Sequence, residues 1–480
     1  MELVREIKDY KIIIGLIALQ LLVTLPFISS APISIDEPFS IFYAQQDIED
    51  MMGVFMNENN PPLHFVLLHY WINLFGISPG SVRSLSLLFS VLTIPILFQF
   101  GKKILNKKFS ILLIGFFIFS TFNHYHALEA RVYSLMVLLT VLIFDELCNM
   151  IFYQKFSFLK LACWNALLMY SHYLGGVVVI VELVVLVMFS FKLTKKKIIS
   201  FIFSGLISLL LYSPVLVIFI ERIGDFSKNG TWVARPMVSE LYGNVVRFFN
   251  GKYSTLFIAV VISAIVFYNR NLILKDKLKG LFSHKNIFAF SVFGFSYFGM
   301  YLFSILKQPI FIDRYLLFTS PFLFISFLIL LKYLIFKKEN SKLIIFLVFP
   351  MIVFCNYVPN TDRDPDSIAD FITDFKTENS HILICPPFYD LTFLYHFDRK
   401  SFIDYKSIDL NSNIHSIYSL DGDLLNSLKL IDGSVFFVDA KSKFLFPDND
   451  ILGKLKNKFS LDSEKEFKGG YVVYQFSNFK

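Results

Sequence analysis

Residues 11–40 read KIIIGLIALQLLVTLPFISSAPISIDEPFS. The first twenty are apolar and long enough to cross a hydrocarbon layer, which takes about 20 residues in a helix. The next ten turn polar and carry an acidic pair, Asp36-Glu37, ahead of Pro38. A membrane helix that hands the chain to an acidic loop sets the reading of everything that follows: apolar spans alternating with polar loops.

Apolar stretches of the same kind recur along the chain. About eleven spans are expected, at about 11–30, 80–101, 109–123, 127–150, 158–172, 173–191, 198–221, 253–269, 286–306, 315–336 and 343–358. The composition agrees. Of 480 residues only 17% are charged, 55% are hydrophobic, 58 are Phe, and the mean hydropathy is +0.59. An ordinary soluble domain carries about 25% charged residues. Disordered, collagenous and ordinary soluble classes are excluded. The net charge of +7 does not point to nucleic acid, because the basic residues fall in short runs between apolar stretches. Cys148, Cys163, Cys355 and Cys385 are widely spread, with neither metal-ligand spacing nor a disulfide framework.

The charges orient the spans. If the amino terminus is cytoplasmic, one set of loops holds Arg5, Lys8, Lys11, Lys102, Lys103, Lys107, Lys108, Lys155, the 192–197 cluster, the 270–285 run and the 337–342 run. No Lys or Arg lies between Ser30 and Gly80 on the opposite side. This bias places the amino terminus inside. Eleven spans then place the carboxyl terminus outside the cytoplasm.

After about residue 358 the chain becomes polar. Asp364-Pro365-Asp366-Ser367 is a helix start, and the helix is expected to run through Phe375. Residues 381–385, 434–439 and 471–476 read as strands, and 424–430 and 451–459 as helices. The expected architecture is therefore a mainly α, polytopic membrane protein. Residues 1–358 form the transmembrane domain, and 359–480 form a small extracytoplasmic α/β domain.

Four polar clusters fall on the outer side. The first loop carries Asp36 and Glu37, able to serve as a general base or to hold a metal; the plain alternative is a helix cap. Further on, Asn59-Asn60-Pro61-Pro62-Leu63-His64 opens a short interfacial helix in which His64 and His69 read as packing or polar-face residues. The second loop carries Glu129 and Arg131, ionisable groups at the mouth of two apolar helices. His172 marks a third turn, able to meet phosphate or sugar hydroxyls or simply to cap. Arg314, beside Asp313 and Tyr315, opens a late helix and could grip a phosphate or snorkel.

These residues resemble the C-type glycosyltransferases that use polyprenyl-phosphate sugars, among them protein O-mannosyltransferases and the aminoarabinose transferases of lipid A. Asp36-Glu37 resembles their first-loop acidic motif. Asn60-Pro61-Pro62-Leu63 through Leu68-His69-Tyr70-Trp71, Leu74-Phe75-Gly76 and Val82-Arg83-Ser84-Leu85 resemble the bacterial members of glycosyltransferase family 39. Leu128-Glu129-Ala130-Arg131-Val132-Tyr133 resembles their second-loop pattern, Ser171-His172-Tyr173 their third-turn pattern, and Ile310-Phe311 with Arg314-Tyr315 a late one. The chain departs from the pattern at Asn60, Leu128 and Pro38. The resemblance implies inverting transfer of a sugar from a polyprenyl-phosphate donor to an envelope acceptor (a lipid, glycan or protein) at the bacterial inner membrane. It implies Asp36, Glu37 and Glu129 as catalytic acids, with Asp36 and Glu129 as ligands of any divalent metal ion. Arg131, His172, Arg314, Tyr315 and His64 would bind substrate within the lipid. The rival readings are a flippase or transporter for lipid-linked sugar and an O-antigen-type polymerase.

Reporter fusions at Asn60 and at Lys480 are both expected to read extracytoplasmic. A cytoplasmic signal at Lys480 would mean that the number of crossings is even.

Overall fold

The computed structural model describes residues 2–34, 36–55, 60–153, 155–229, 233–269, 280–334, 345–359, 363–403, 413–428 and 433–479. Ile35, Asn59, the basic residues at 270–279 and 337–342, and the end of the helix expected at 424–430 lie outside them. The chain divides into two compact units. The first comprises Met1–Ile28, Met52–Leu67 and Arg83–Val358; the second comprises Ser29–Met51, Leu68–Val82 and Pro359–Lys480.

The described residues of the first unit form helices and the turns between them, with no strand. Six described helices are long and apolar enough to cross a membrane: Asp9–Phe27, Pro79–Ile104, Tyr133–Tyr153, Lys195–Arg222, His284–Leu306 and Asp313–Tyr333. A seventh is counted if Val238–Phe248 and Lys252–Ala264, bent by 80°, make one span. The protein is thus an integral membrane protein, but the expected eleven full-length spans are not found among the described residues. The stretches at 109–123, 158–172 and 173–191 fold as helices of 13, 14 and 14 residues: Lys107–Phe119, Phe158–Ser171 and Gly175–Met188. Each is about 20 Å long, short of the ~30 Å hydrocarbon layer. Among its described residues the stretch at 343–358 yields a 3₁₀ turn, Ile345–Leu347, and the helix Val348–Val353. Hydropathy sums side chains and does not register where the backbone breaks. It breaks at Ser120 and at His172, both extended.

Where a helix stops inside an apolar bundle, its free N–H and C=O groups need partners within the protein. One side chain closes three such ends. Asn250 Oδ1 accepts from Thr121 N at 2.7 Å, and Asn250 Nδ2 donates to Phe119 O at 2.7 Å and to Met351 O at 2.8 Å. Asn250 sits at φ 64°, a left-handed conformation that asparagine tolerates better than most residues. Gly251 follows at φ 90°, where a β-carbon would be strained, and the two make the 80° bend. Ser120 Oγ donates to Phe248 O at 2.9 Å and adds a second stitch. Around these joints the rings of Phe116, Phe249, Phe324 and Phe327 pack mostly edge to face, with centroids 5.0–6.0 Å apart. At the start of the chain, Lys102 and Lys107 pair with the buried Asp9.

The second unit is built on a five-stranded sheet: β1 (His381–Cys385), β2 (Ile414–Ser416), β3 (Val435–Asp439), β4 (Phe459–Phe467) and β5 (Tyr471–Phe479), in the order β2-β1-β3-β5-β4. β1 runs parallel to β2 and β3, whereas β5 runs antiparallel to β3 and β4. Alternation along the strands separates two apolar faces. Ile382, Ile384, Phe436 and Val438 pack with Ile368, Phe371 and Phe393 on one side. Leu383, Val435, Phe437 and Phe476 pack with Leu425, Ile451 and Leu455 on the other. The helix Pro365–Phe375 starts where expected, with Asp364 accepting from Ser367 N. β2 and β4 are strands that the sequence did not show. β4 carries Asp462, Glu464, Lys465 and Glu466, the polar dress of a sheet edge rather than a β-forming run.

Asn250→Ala is expected to lower stability by about 3 kcal/mol or more, since it leaves two carbonyls and one N–H unsatisfied at about 1–3 kcal/mol each. Thermal unfolding in detergent measures this. Asn250→Gly retains the backbone conformation and should lose nearly as much. A Gly variant of wild-type stability would mean that the three hydrogen bonds do not hold the breaks closed.

Candidate active site

The second-loop motif is a tight turn between the helices Thr121–Ala127 and Tyr133–Cys148. Leu128, Ala130 and Val132 anchor it in the apolar interior. Its backbone is closed locally: Arg131 N donates to Glu129 O at 2.7 Å and Leu128 N to Tyr125 O at 2.9 Å. Two hydroxyls hold it from outside. Ser86 Oγ donates to Arg131 O at 3.1 Å, and Ser134 Oγ donates to His126 O at 2.9 Å. With so rigid a frame, Glu129 and Arg131 are only 7% and 9% exposed. Glu129 Oε2 meets His126 Nδ1 at 2.7 Å.

The third motif is a turn as well. His172 ends the helix Phe158–Ser171 in an extended conformation, and Leu174 N donates to its Nδ1 at 3.1 Å. That bond makes Nδ1 the acceptor, so the ring proton is on Nε2. Gly175 follows because a β-carbon there would stand 3.0 Å from Leu168 O. Burial, reinforced by the charges of Arg131 and Arg314, pushes His172 down to about 3. Burial and Arg131 do the same to His64, also to about 3. Both imidazoles are neutral at physiological pH. His64 lies at the start of the helix Leu63–Phe75, edge-on to Phe65, and its Nε2 is buried without a hydrogen bond.

Arg314 stands in the first turn of the 3₁₀ helix Asp313–Thr319, and its guanidinium lies 5.8 Å from the centroid of Tyr315. Asp313 pairs with Arg247 and accepts from Arg314 N at 2.6 Å. Arg247 is thus the side chain that the Asp313 carboxylate pairs with. A ladder of rings joins the motifs. His126 to Tyr133 is 4.9 Å, Tyr133 to His172 is 6.4 Å, and His172 to Tyr315 is 5.2 Å between centroids. Glu129, Arg131, His172, Arg314, Tyr315 and His64, drawn from four separate stretches of sequence, therefore share one region of the first unit. Beside it lies a small apolar pocket of about 20 Å³, lined by Met52, Phe55, Pro61, Pro62, Tyr173, Tyr212, Val215 and Ile218.

Asp36 and Glu37 belong to the second unit. Asp36 stands at the N-cap position of the helix Glu37–Ala44, but its side chain makes no capping hydrogen bond, so the capping role does not account for it. Glu37 is buried. This acidic segment folds with the tail. His396 Nε2 lies 2.7 Å from Ile33 O, Gln45 Nε2 donates to Phe402 O at 3.2 Å, and Phe42 packs edge-on to Phe402. Among the described residues, no three His, Cys, Asp or Glu side chains come together to hold a metal. The residue that sequence reasoning passed over is His126; its one signal was the spacing of three to Glu129.

The fold is shared with structures solved for two other proteins. The chain is similar to ArnT from Cupriavidus metallidurans in the apo state, with a TM-score of 0.60, 10% identity, and 96% of this chain and 97% of that chain covered. The same protein bound to undecaprenyl phosphate gives a TM-score of 0.59 at 10% identity, with the same coverage. The archaeal oligosaccharyltransferase AglB from Archaeoglobus fulgidus, in complex with an inhibitory peptide and a dolichol-phosphate, gives 0.54 at 10% identity, with 99% of this chain and 75% of that chain covered. No protein-family profile matches the chain, and no curated protein matches it by sequence.

With Nδ1 taken by Leu174 N, His172 can offer a substrate only its Nε2 proton. His172→Gln, which places an amide N–H near the same point, is expected to retain more donor binding than His172→Ala. Because His172 stays neutral down to about pH 3, neither variant should change the shape of the binding profile between pH 5 and pH 8. A basic or acidic limb that disappears with His172 would contradict this.

Proposed function

We propose that the protein is a glycosyltransferase that moves a sugar, with inversion, from a polyprenyl-phosphate donor to an acceptor on the outer face of a bacterial inner membrane. The observation that carries this reading is the pair Arg131 and Arg314, whose charges both act on the neutral His172 beside an apolar pocket. Two guanidiniums in a poorly solvated place favour a doubly charged oxyanion. The apolar lining of the pocket, through Pro62 and Tyr173, adjoins His64 and His172 and suits the approach of a lipid tail. The fold similarity to a protein solved with undecaprenyl phosphate and to one solved with a dolichol-phosphate supports the same donor class.

In the reaction, the acceptor hydroxyl attacks the anomeric carbon while the bond to the phosphate oxygen breaks. Asp36 takes the hydroxyl proton, and Glu37 supports the acidic segment. Glu129 orients the acceptor. Arg131 and Arg314 hold the departing phosphate, whose charge grows as the bond breaks, with His172 donating from Nε2 and Tyr315 backing the Arg314 guanidinium. His64, close enough to feel the Arg131 charge, helps to shape the substrate region. Glu129 in the first unit, or Asp36 in the second, would each offer one carboxylate to a divalent ion. So small a carboxylate set suits a Mg²⁺-like ion that keeps water and substrate phosphate as its other ligands. Such an ion would supply further charge for the leaving phosphate. The amino terminus is cytoplasmic, and the tail 359–480 contributes to acceptor selection.

The test uses purified protein and a labelled polyprenyl-phosphate sugar. Asp36→Asn is expected to lower turnover about 10²–10⁴-fold, and Glu37→Gln less. Arg314→Lys retains charge and length but loses the planar fork, so it should fold normally and use donor poorly. Wild-type turnover in Asp36→Asn would remove the base assignment. Wild-type donor use in Arg314→Lys would return that residue to a membrane-anchoring role and leave Arg131 as the phosphate ligand. A protein that moves lipid-linked sugar across a bilayer but never consumes it would be a flippase instead.

A further inference from the structure

Among the buried polar groups of the first unit, His126 has no role in the chemistry above, yet it is built like one that does. It is 3% exposed, and its Nδ1 lies 2.7 Å from Glu129 Oε2. A carboxylate oxygen accepts, so Nδ1 carries the proton and donates. The ring cannot turn away from this partner. Phe122 stands edge-on at 4.8 Å, Tyr133 at 4.9 Å and Tyr125 at 5.2 Å. The backbone is held too, because Ser134 Oγ donates to His126 O at 2.9 Å. The other ring nitrogen, Nε2, is buried without a hydrogen bond. A histidine placed only for packing would not need a polar tip aimed at a carboxylate from such a box. The helix also ends at Ala127, so the contact is not the ordinary neighbour pairing of a helix face. It exists only because the 128–132 turn folds Glu129 back onto the ring.

We propose that His126 is a positioning residue for Glu129, resting on the transferase reading given above. By tying Oε2, His126 fixes the plane of the carboxylate and leaves Oε1 as the oxygen that meets the acceptor hydroxyl. The ring acts through Glu129 and touches no substrate. Loss of an outer partner of this kind costs about 10- to 100-fold in activity. The loss belongs in turnover, because donor phosphate is held by other side chains.

The test compares three full-length variants for kcat and for donor KM, with thermal unfolding in the same detergent as the check on folding. His126→Phe retains the ring and removes the donor. It is expected to lower kcat about 10- to 100-fold with donor KM within about twofold. An asparagine amide nitrogen falls near the Nδ1 position and a glutamine amide nitrogen near Nε2. His126→Asn should therefore recover most of the turnover and His126→Gln little of it. In a Glu129→Gln background, His126→Phe should add no further loss, since both changes remove one interaction. Equal turnover in the Asn and Gln variants, or a His126→Phe defect confined to donor KM, would overturn the assignment. If the wild-type protein turns over no polyprenyl-phosphate sugar, the transferase reading falls and takes this role with it. If the wild type is active and Asn equals Gln, only the role of His126 falls.

Discussion

In a hydrocarbon layer a backbone N–H or C=O without a partner costs several kcal/mol, and there is no water to supply one. That constraint organises the helical unit. Its helices do not all run through; they break at Ser120, at 128–132, at His172 and at 249–251. Each break survives because a side chain or a turn hydrogen bond takes up the exposed groups. Asn250 does this for three chain segments at once. Ser86 and Ser134 do it for the turn that carries Glu129 and Arg131. Glu129, Arg131 and His172, three of the residues proposed to act on substrate, lie at these closed breaks, the places where a membrane protein can present irregular backbone and charge together.

The electrostatics follow from the same burial. His64 and His172 lose their protons because burial and nearby guanidinium charge disfavour a further cation. The positive charge of the region is therefore carried by Arg131 and Arg314, which do not titrate. A neutral imidazole whose acceptor nitrogen is already used can only donate. Two guanidiniums and one fixed donor thus share the region with the Glu129 carboxylate. The aromatic ladder between them fixes the rings through edge contacts, each contributing about 0.5–1.5 kcal/mol beyond area burial.

The second unit solves a different problem. It has water on offer and builds its core by two-faced alternation across a mixed sheet, with helices over both faces. The acidic segment around Asp36 is held by hydrogen bonds to backbone of this unit, through His396 and Gln45, and by Phe42 against Phe402. The position of the first-loop acids is thereby linked to a domain more than three hundred residues later in the chain.

Membrane character, the helical start at Asp364, three of the five strands and the motif residues could all be read from the sequence. Each depends on local composition or short spacing, and a window of 5–20 residues contains that information. The number of full spans could not be read, because hydropathy counts apolar side chains, whereas Ser120 and His172 end helices through backbone conformation within apolar stretches. The edge strand β4 was hidden for the opposite reason. Its residues are charged, and pairing with β5 rather than intrinsic preference makes it a strand. His126 was visible as a letter but not as a partner of Glu129, since their contact requires the turn that follows the helix end. The sequence by itself thus determined the solvent in which the chain folds and the chemistry it has available. Which groups meet, which histidines lose their protons and which nitrogen keeps the hydrogen were decided by the tertiary structure, because these depend on burial and on contacts between residues far apart in the chain.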